Sequence, residues 1–283
     1  MCGIIGCASR TVNVAPILHK GLKRLEYRGY DSAGIATIDG GSVYVKKDAG
    51  KIDEIHERMN LDDLPGLIGI AHTRWATHGA PSKINAHPHL DCRSRIAIVH
   101  NGIIENFLEL KEELLEKRHS FKSRTDTEVI AHLIEEYMAD GKDLLQAVIT
   151  AVRRLKGSYA LAVISADEPD KIVFARNESP LIIGLGDGMI FVASDAAAFI
   201  EYTRKVLFLD NGEAGYITPT EVKILKIDSG MEVKKRVIEL DWTLEMAQKS
   251  GYPHFMLKEI HDCLLYTSPS PRDLSTSRMP SSA

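Results

Sequence analysis

The chain opens Met1-Cys2-Gly3-Ile4-Ile5-Gly6-Cys7-Ala8, and the reading of that octapeptide decides the kind of fold that follows. Residues 3–8 form an apolar run too short for a core helix. They read as a buried strand leading straight from the N-terminus, with a cysteine one residue before it. Further along, Val14, Ile17, Leu18, Gly21, Leu22 and Leu25 recur at helical spacing, and Asn13 suits an N-cap. Residues 33–38 and 42–47 flank Asp39-Gly40-Gly41, a hairpin signal because glycine accepts positive φ. Strands are expected at 67–71 and 96–100. Helices are expected over 104–117, 126–138 and 143–155, the second carrying Val129, Ile130, Leu133, Ile134 and Tyr137 on one face.

From 158 to 240 the pattern turns to short strands punctuated by Asp187-Gly188 and Asn211-Gly212. Hairpins with helices packed on sheets fit this order better than a βαβ series. The last stretch differs: between 263 and 283, Ser, Thr and Pro make up 11 of 21 residues. That composition cannot bury a core and reads as a disordered or non-native tail. Residues 241–262 read as the beginning of a linker.

Composition narrows the function classes. The chain has 283 residues, 44% apolar, with a net charge of −4, enough for a sizeable core and too mildly charged to suggest a nucleic-acid surface. No apolar run approaches bilayer length, and the N-terminus lacks the basic and apolar regions of a secretory leader. A cytoplasmic location is therefore expected, with no membrane or nucleic-acid partner. Cysteines 2, 7, 92 and 263 lack C-x-x-C spacing, which argues for neither a disulfide framework nor a zinc ribbon. The histidines at 72, 78, 87, 89 and 100 show no helical i, i+4 pair beside a carboxylate. No metal and no cofactor, pyridoxal phosphate included, is expected.

Cys2 carries the first chemical signal. Removal of Met1, favoured by a small second residue, would give Cys2 a free α-amine with a pKa of about 7.7–8.0. One residue would then supply both nucleophile and proton acceptor. An incidental second-position cysteine is the competing reading. Asn101-Gly102 offers a side-chain N–H and an unshielded backbone N–H, the donors an oxyanion needs, or else a simple hairpin turn. Arg74 suits a carboxylate, since guanidinium grips both oxygens. Asp126 suits an ammonium, or else caps the helix that follows it.

Taken together, Met1-Cys2-Gly3-Ile4-Ile5-Gly6, Tyr27-Arg28-Gly29-Tyr30-Asp31-Ser32-Ala33-Gly34, Arg74-Trp75-Ala76-Thr77-His78-Gly79, His100-Asn101-Gly102-Ile103-Ile104-Glu105-Asn106 and Ser123-Arg124-Thr125-Asp126-Thr127-Glu128 resemble the glutaminase domain of the glutamine–fructose-6-phosphate aminotransferase family. That family lies within the N-terminal-nucleophile (class II) amidotransferases. The resemblance spans residues 2 to about 240. It implies an α/β (α+β) fold, a four-layer αββα sandwich of the N-terminal-nucleophile hydrolase type, with residues 1–240 as the glutaminase domain. By the same resemblance Cys2 is the nucleophile and Asn101 and Gly102 form the oxyanion hole. Arg28 supports the thiol, with Asp31 and Ser32 bracing its loop. Arg74 and Asp126 grip the ends of L-glutamine, Thr77, His78 and Gly102 add polar contacts, and Trp75 lies on a loop over the pocket. The nitrogen would pass to fructose 6-phosphate in a C-terminal half absent from this chain, and the full-length protein would be a homo-oligomer. A purine- or asparagine-type amidotransferase and a non-catalytic glutamine-binding module are the alternatives.

Overall fold

The computed structural model describes residues 2–76 and 79–241. The expected linker and tail, and Thr77 and His78, lie outside the described residues. The N-terminal run does form a strand, β1 (Gly3–Ser9), with every residue buried. It pairs antiparallel on both sides, with β4 (Ile68–Arg74) and β10 (Met189–Ala193). A strand buried on two faces needs apolar residues at successive positions, which is why Ile4-Ile5-Gly6-Cys7-Ala8 does not alternate.

Two antiparallel sheets result. The first runs β14 (Ile238–Glu239), β11 (Lys205–Phe208), β9 (Ile182–Leu185), β10, β1, β4, β2 (Ser32–Asp39), β3 (Ser42–Ala49). The second runs β13 (Val222–Lys226), β12 (Glu213–Ile217), β8 (Glu168–Asn177), β7 (Gly157–Ser165), β6 (Ile96–Ile104), β5 (His89–Leu90). Ile4, Ala36, Ile70, Val99, Ala162, Phe174 and Val192 pack between the sheets. On the outer face of the first sheet lie α1 (Ala15–Leu25) and α2 (Ile52–Met59), sharing a core with Ile5, Cys7 and Phe191. On the outer face of the second lie α3 (Phe107–Glu116), α4 (Glu128–Ala139) and α5 (Leu144–Val152), packed on Ile98, Leu161 and Val173. Alternate residues of each strand thus serve the central and the outer core. The layers are α, β, β, α, as the resemblance implies.

Three local readings change. Asn13 does not sit at the N-cap: Val14 does, and Asn13 Oδ1 instead accepts the Ala15 N–H at 3.0 Å. The helix expected from 104 begins only at Phe107, because β6 continues to Ile104, opposite Gly157 of β7. The helix expected from 126 begins at Glu128, and its N-cap, Thr127, makes no side-chain cap bond. No described helix is long and apolar enough to cross a membrane.

Candidate active site

β1, β4 and β6 deliver the chemical residues to one end of the sandwich. Cys2 precedes β1 by one residue, Trp75 follows β4 by one, and Asn101 and Gly102 lie in β6. With Arg28, Ile103, Ser158, Ser179 and Pro180 they line a cavity of about 370 Å³. The Trp75 N–H donates to Cys2 Sγ at 3.2 Å, and the Trp75 ring meets Tyr30 edge-on at 5.4 Å. Burial pushes the Cys2 thiol up from its ordinary pKa, while the Trp75 N–H and the Arg74 guanidinium pull the other way.

Asn101 is held from both ends of its amide. Its Nδ2 donates to the Cys2 carbonyl at 3.0 Å, leaving a second N–H for the cavity it lines. Its Oδ1 sits 3.0 Å from Nε2 of His72, which also lies 3.0 Å from the His100 carbonyl. A carbonyl can only accept, so His72 Nε2 carries the proton, and the amide has one sensible orientation. Burial drives His72 down to about 3, against the opposing pull of Asn101 and the His100 carbonyl. Gly102 has φ +131°, and a Cβ there would stand 2.0 Å from the Ser158 carbonyl oxygen. Only glycine fits, so β7 approaches the site at backbone distance.

The turn reading of Asn101-Gly102 fails, since both residues pair along β7, opposite Ala160 and Tyr159. The cap reading of Asp126 fails too. Its Oδ2 accepts the Ile104 N–H at 2.8 Å, so the carboxylate turns toward the end of β6 and away from α4. Asp126 and Arg74 are buried beside the cavity, not among its lining residues, and both act electrostatically on Cys2. Arg74 Nη2 donates to the Gly79 carbonyl at 3.1 Å. Asp31 Oδ2 accepts the Ala76 N–H at 2.7 Å, and the Asp31 N–H reaches the Arg74 carbonyl at 3.1 Å. That carboxylate ties the 28–32 loop to the end of β4. Gly29 allows the contact, because a Cβ there would lie 2.6 Å from the Arg74 carbonyl carbon.

Two contributors carried no local signal. Arg28 Nη2 donates to Asp195 at 2.7 Å, and the Tyr27 hydroxyl reaches the same oxygen at 2.7 Å. Ser194 Oγ accepts the Ile4 N–H at 3.0 Å. Both come from just beyond β10, more than 160 residues away in sequence.

Behind Asn101 stands a cluster of buried neutral histidines. His72 and His87 rings lie 4.2 Å apart, and His87 and His89 rings 4.6 Å apart. Thr127 Oγ1 bridges His87 and His100 at 2.9 Å each. Burial lowers all four imidazoles from the ordinary 6.5. Groups with depressed folded pKa values stabilise fully above the unfolded value and lose that contribution as pH falls toward the folded one. Stability should therefore begin to erode below pH 6.5, before the carboxylates titrate, and continue to fall toward about 3. The limiting slope is about 1.4 kcal/mol per pH unit for each histidine. His132, between Glu128 and Glu135, has a raised pKa, so its contribution is gained as pH falls to 6.5, is complete below it, and leaves the slope on the acid side to the buried cluster. Urea midpoints at pH 7.5, 6 and 5 test this; a midpoint unchanged across that range would overturn it.

Residues 72–201 match the glutamine amidotransferase domain family. The glutamine–fructose-6-phosphate aminotransferase (isomerizing) of Thermococcus kodakarensis is 56% identical over 262 residues, covering 93% of this chain and 43% of that protein. The enzyme of the same name from Methanothermobacter thermautotrophicus is 54% identical, with 93% and 44% covered. The chain thus spans less than half the length of these curated relatives. Among solved structures, the Bacillus subtilis glutamine phosphoribosylpyrophosphate amidotransferase complexed with ADP and GMP superposes with a TM-score of 0.70 at 27% identity, covering 81% of this chain and 50% of that one. A structure described as the allosteric regulatory enzyme of purine biosynthesis gives 0.71 at 30%, with 81% and 49% covered.

Proposed function

We propose that this chain, which belongs to the glutamine amidotransferase family, hydrolyses L-glutamine to glutamate and ammonia at Cys2. The observation that carries the reading is the meeting of the Cys2 thiol, the Asn101 amide and Gly102 at one cavity. Burial holds the thiol protonated at neutral pH, so attack needs a base. The α-amine of Cys2, freed by loss of Met1 and acting through a water, supplies it. The thiolate adds to the side-chain amide carbon, and the oxyanion rests on the Asn101 and Gly102 N–H groups. The thiol's proton passes by way of the amine to the leaving nitrogen. Ammonia departs, and water cleaves the γ-glutamyl thioester to glutamate. Arg74 takes the α-carboxylate and Asp126 the α-ammonium. Thr77 and His78 add polar contacts, and Arg28, fixed by Asp195, supports the cavity wall beside the thiol.

The ammonia would serve glucosamine 6-phosphate synthesis from fructose 6-phosphate, bound by a sugar-isomerase half outside this chain. Free ammonia is mostly protonated at neutral pH, so its transfer requires enclosure. We assign residues 1–240 to the glutaminase domain and 241–262 to the start of a linker. We also assign the protein to the cytoplasm and, at full length, to a homo-oligomer.

Glutamate release from glutamine by the purified chain, with trapping at Cys2 by an electrophilic glutamine analogue, tests the proposal. Saturable binding with neither turnover nor labelling would make the chain a sensor. Chain that retains Met1 or carries an acetylated N-terminus should bind glutamine and lose turnover. Mass spectrometry sorts the two populations, and full activity in the blocked one would remove the amine from the mechanism.

A further inference from the structure

On the α-helical face of the second sheet, Cys92, His119, His132 and Glu135 converge so that one ligand atom from each lies within 4.8 Å of the others. Cys92 Sγ stands 3.4 Å from His119 Nδ1 and 3.5 Å from His132 Nδ1. Glu135 Oε2 stands 3.1 Å from His119 Nδ1 and 3.4 Å from His132 Nδ1. A tetrahedral zinc ion, with Zn–S about 2.3 Å and Zn–N and Zn–O about 2.0–2.1 Å, has S···N edges of roughly 3.6 Å and N···O edges of roughly 3.3 Å. The four separations are already those of a tetrahedron around zinc.

The surroundings orient the ligands. His119 Nε2 lies 2.8 Å from Glu136 Oε1, and His132 Nε2 lies 3.7 Å from Glu128 Oε1. Each imidazole thus faces a carboxylate with Nε2, which favours the proton there and turns the Nδ1 lone pair to the centre. The Ser120 N–H reaches Cys92 Sγ at 3.5 Å, a contact that favours thiolate, and the Cys92 N–H holds Glu135 Oε2 at 3.2 Å. One thiolate, one carboxylate and two neutral imidazoles balance a divalent charge. Cys92 is exposed and both histidines are buried, so the cluster has an entrance and a floor.

We infer that Cys92, His119, His132 and Glu135 bind a structural zinc ion. Four protein ligands close the tetrahedron, leaving no position for substrate. The ion joins the turn after β5, the turn after α3 and α4 itself. The segment leading into α4 carries Asp126, so the staple steadies a residue held beside the candidate cavity without taking part in the chemistry. Binding displaces the Cys92 thiol proton and any proton on the imidazole Nδ1 atoms.

The full chain, purified without chelator from zinc-supplemented medium, should carry stoichiometric zinc by mass spectrometry. Cobalt added to stripped protein should give the visible bands of tetrahedral coordination and a near-ultraviolet thiolate-to-cobalt band. Cys92→Ser should abolish the thiolate band, and Cys2→Ala should leave it intact. Glu136→Gln should keep the spectrum and weaken zinc binding by roughly 10–100-fold. Wild-type cobalt titration does not depend on how the variants fold. A wild-type spectrum of purely octahedral cobalt, metal-free protein from supplemented medium, or a thiolate band that survives Cys92→Ser would each overturn the assignment. The cluster would then be a proton-bridged histidine–carboxylate network.

Discussion

Glutamine turnover by the Cys2→Ala chain should fall by on the order of 10⁶-fold, the scale seen when a hydrolase loses its nucleophile. The drop is that large because no other group among the described residues lining the cavity is set up to form the acyl intermediate. Arg28 and the Asn101 amide are not nucleophiles at neutral pH, and the Ser158 and Ser179 hydroxyls lack an evident base. Cys7 is fully buried, with its thiol pushed far above the usual range, so it cannot substitute. Folding should be spared. Cys2 is only half-buried at the start of β1, and Ala leaves the Asn101 bond to the residue-2 carbonyl intact. Loss of one half-buried thiol that packs in no core cluster should cost about 1 kcal/mol. Glutamine affinity should remain within a few-fold of wild type, since Arg74 and Asp126 are untouched. Steady-state glutamate release and equilibrium binding on the same preparation give the two readouts. Turnover persisting in the variant would end the nucleophile assignment. Binding lost along with turnover would mean that Cys2 positions the substrate instead.

Sequence pattern and structure agree where burial decides the answer. The unbroken apolar run after Cys2 has to be a strand covered on both faces, and α4 has to turn Val129, Ile130, Leu133 and Ile134 inward. They part where two periodicities overlap. Ile103 and Ile104 suit the start of a helix as well as the end of a strand, and only β7 lying alongside, with Gly157 opposite Ile104, settles it in favour of the strand. Asp126 has the look of a cap, yet its carboxylate is claimed by an N–H some 22 residues earlier. The thiol, the Asn101 amide and Gly102 were legible because each carries its own chemical signature. Asp195 and Ser194 were not, because an acid and a hydroxyl more than 160 residues from their partners leave no local trace. The proposed zinc ligands were equally hidden. Only His132 and Glu135 share a helix face, and Cys92 and His119 reach them through tertiary packing alone.

Gly102→Ala should cost stability and catalysis together, which separates it from every side-chain deletion nearby. At φ +131° an L-residue is strained, and the new Cβ would press to 2.0 Å from the Ser158 carbonyl oxygen. Neither atom can swing away as a flexible side chain would, so β6 and β7 must part. Strain and lost pairing should total on the order of 3 kcal/mol. For a domain of this size that is roughly 6–12 °C in Tm. The same displacement moves the Gly102 N–H away from the position where negative charge develops, and loss of one such donor lowers turnover by about 10²–10³-fold. Asn101→Ala is the control. It deletes the other oxyanion donor with no positive-φ penalty and loses only its bonds to the Cys2 carbonyl and His72, so it should match the fall in turnover with a smaller shift in Tm. Thermal melts and glutamate release on the three proteins decide the matter. If Gly102→Ala unfolds early but turns over normally below its melt, Gly102 serves only to let β7 close on β6, and the oxyanion rests on Asn101 without it.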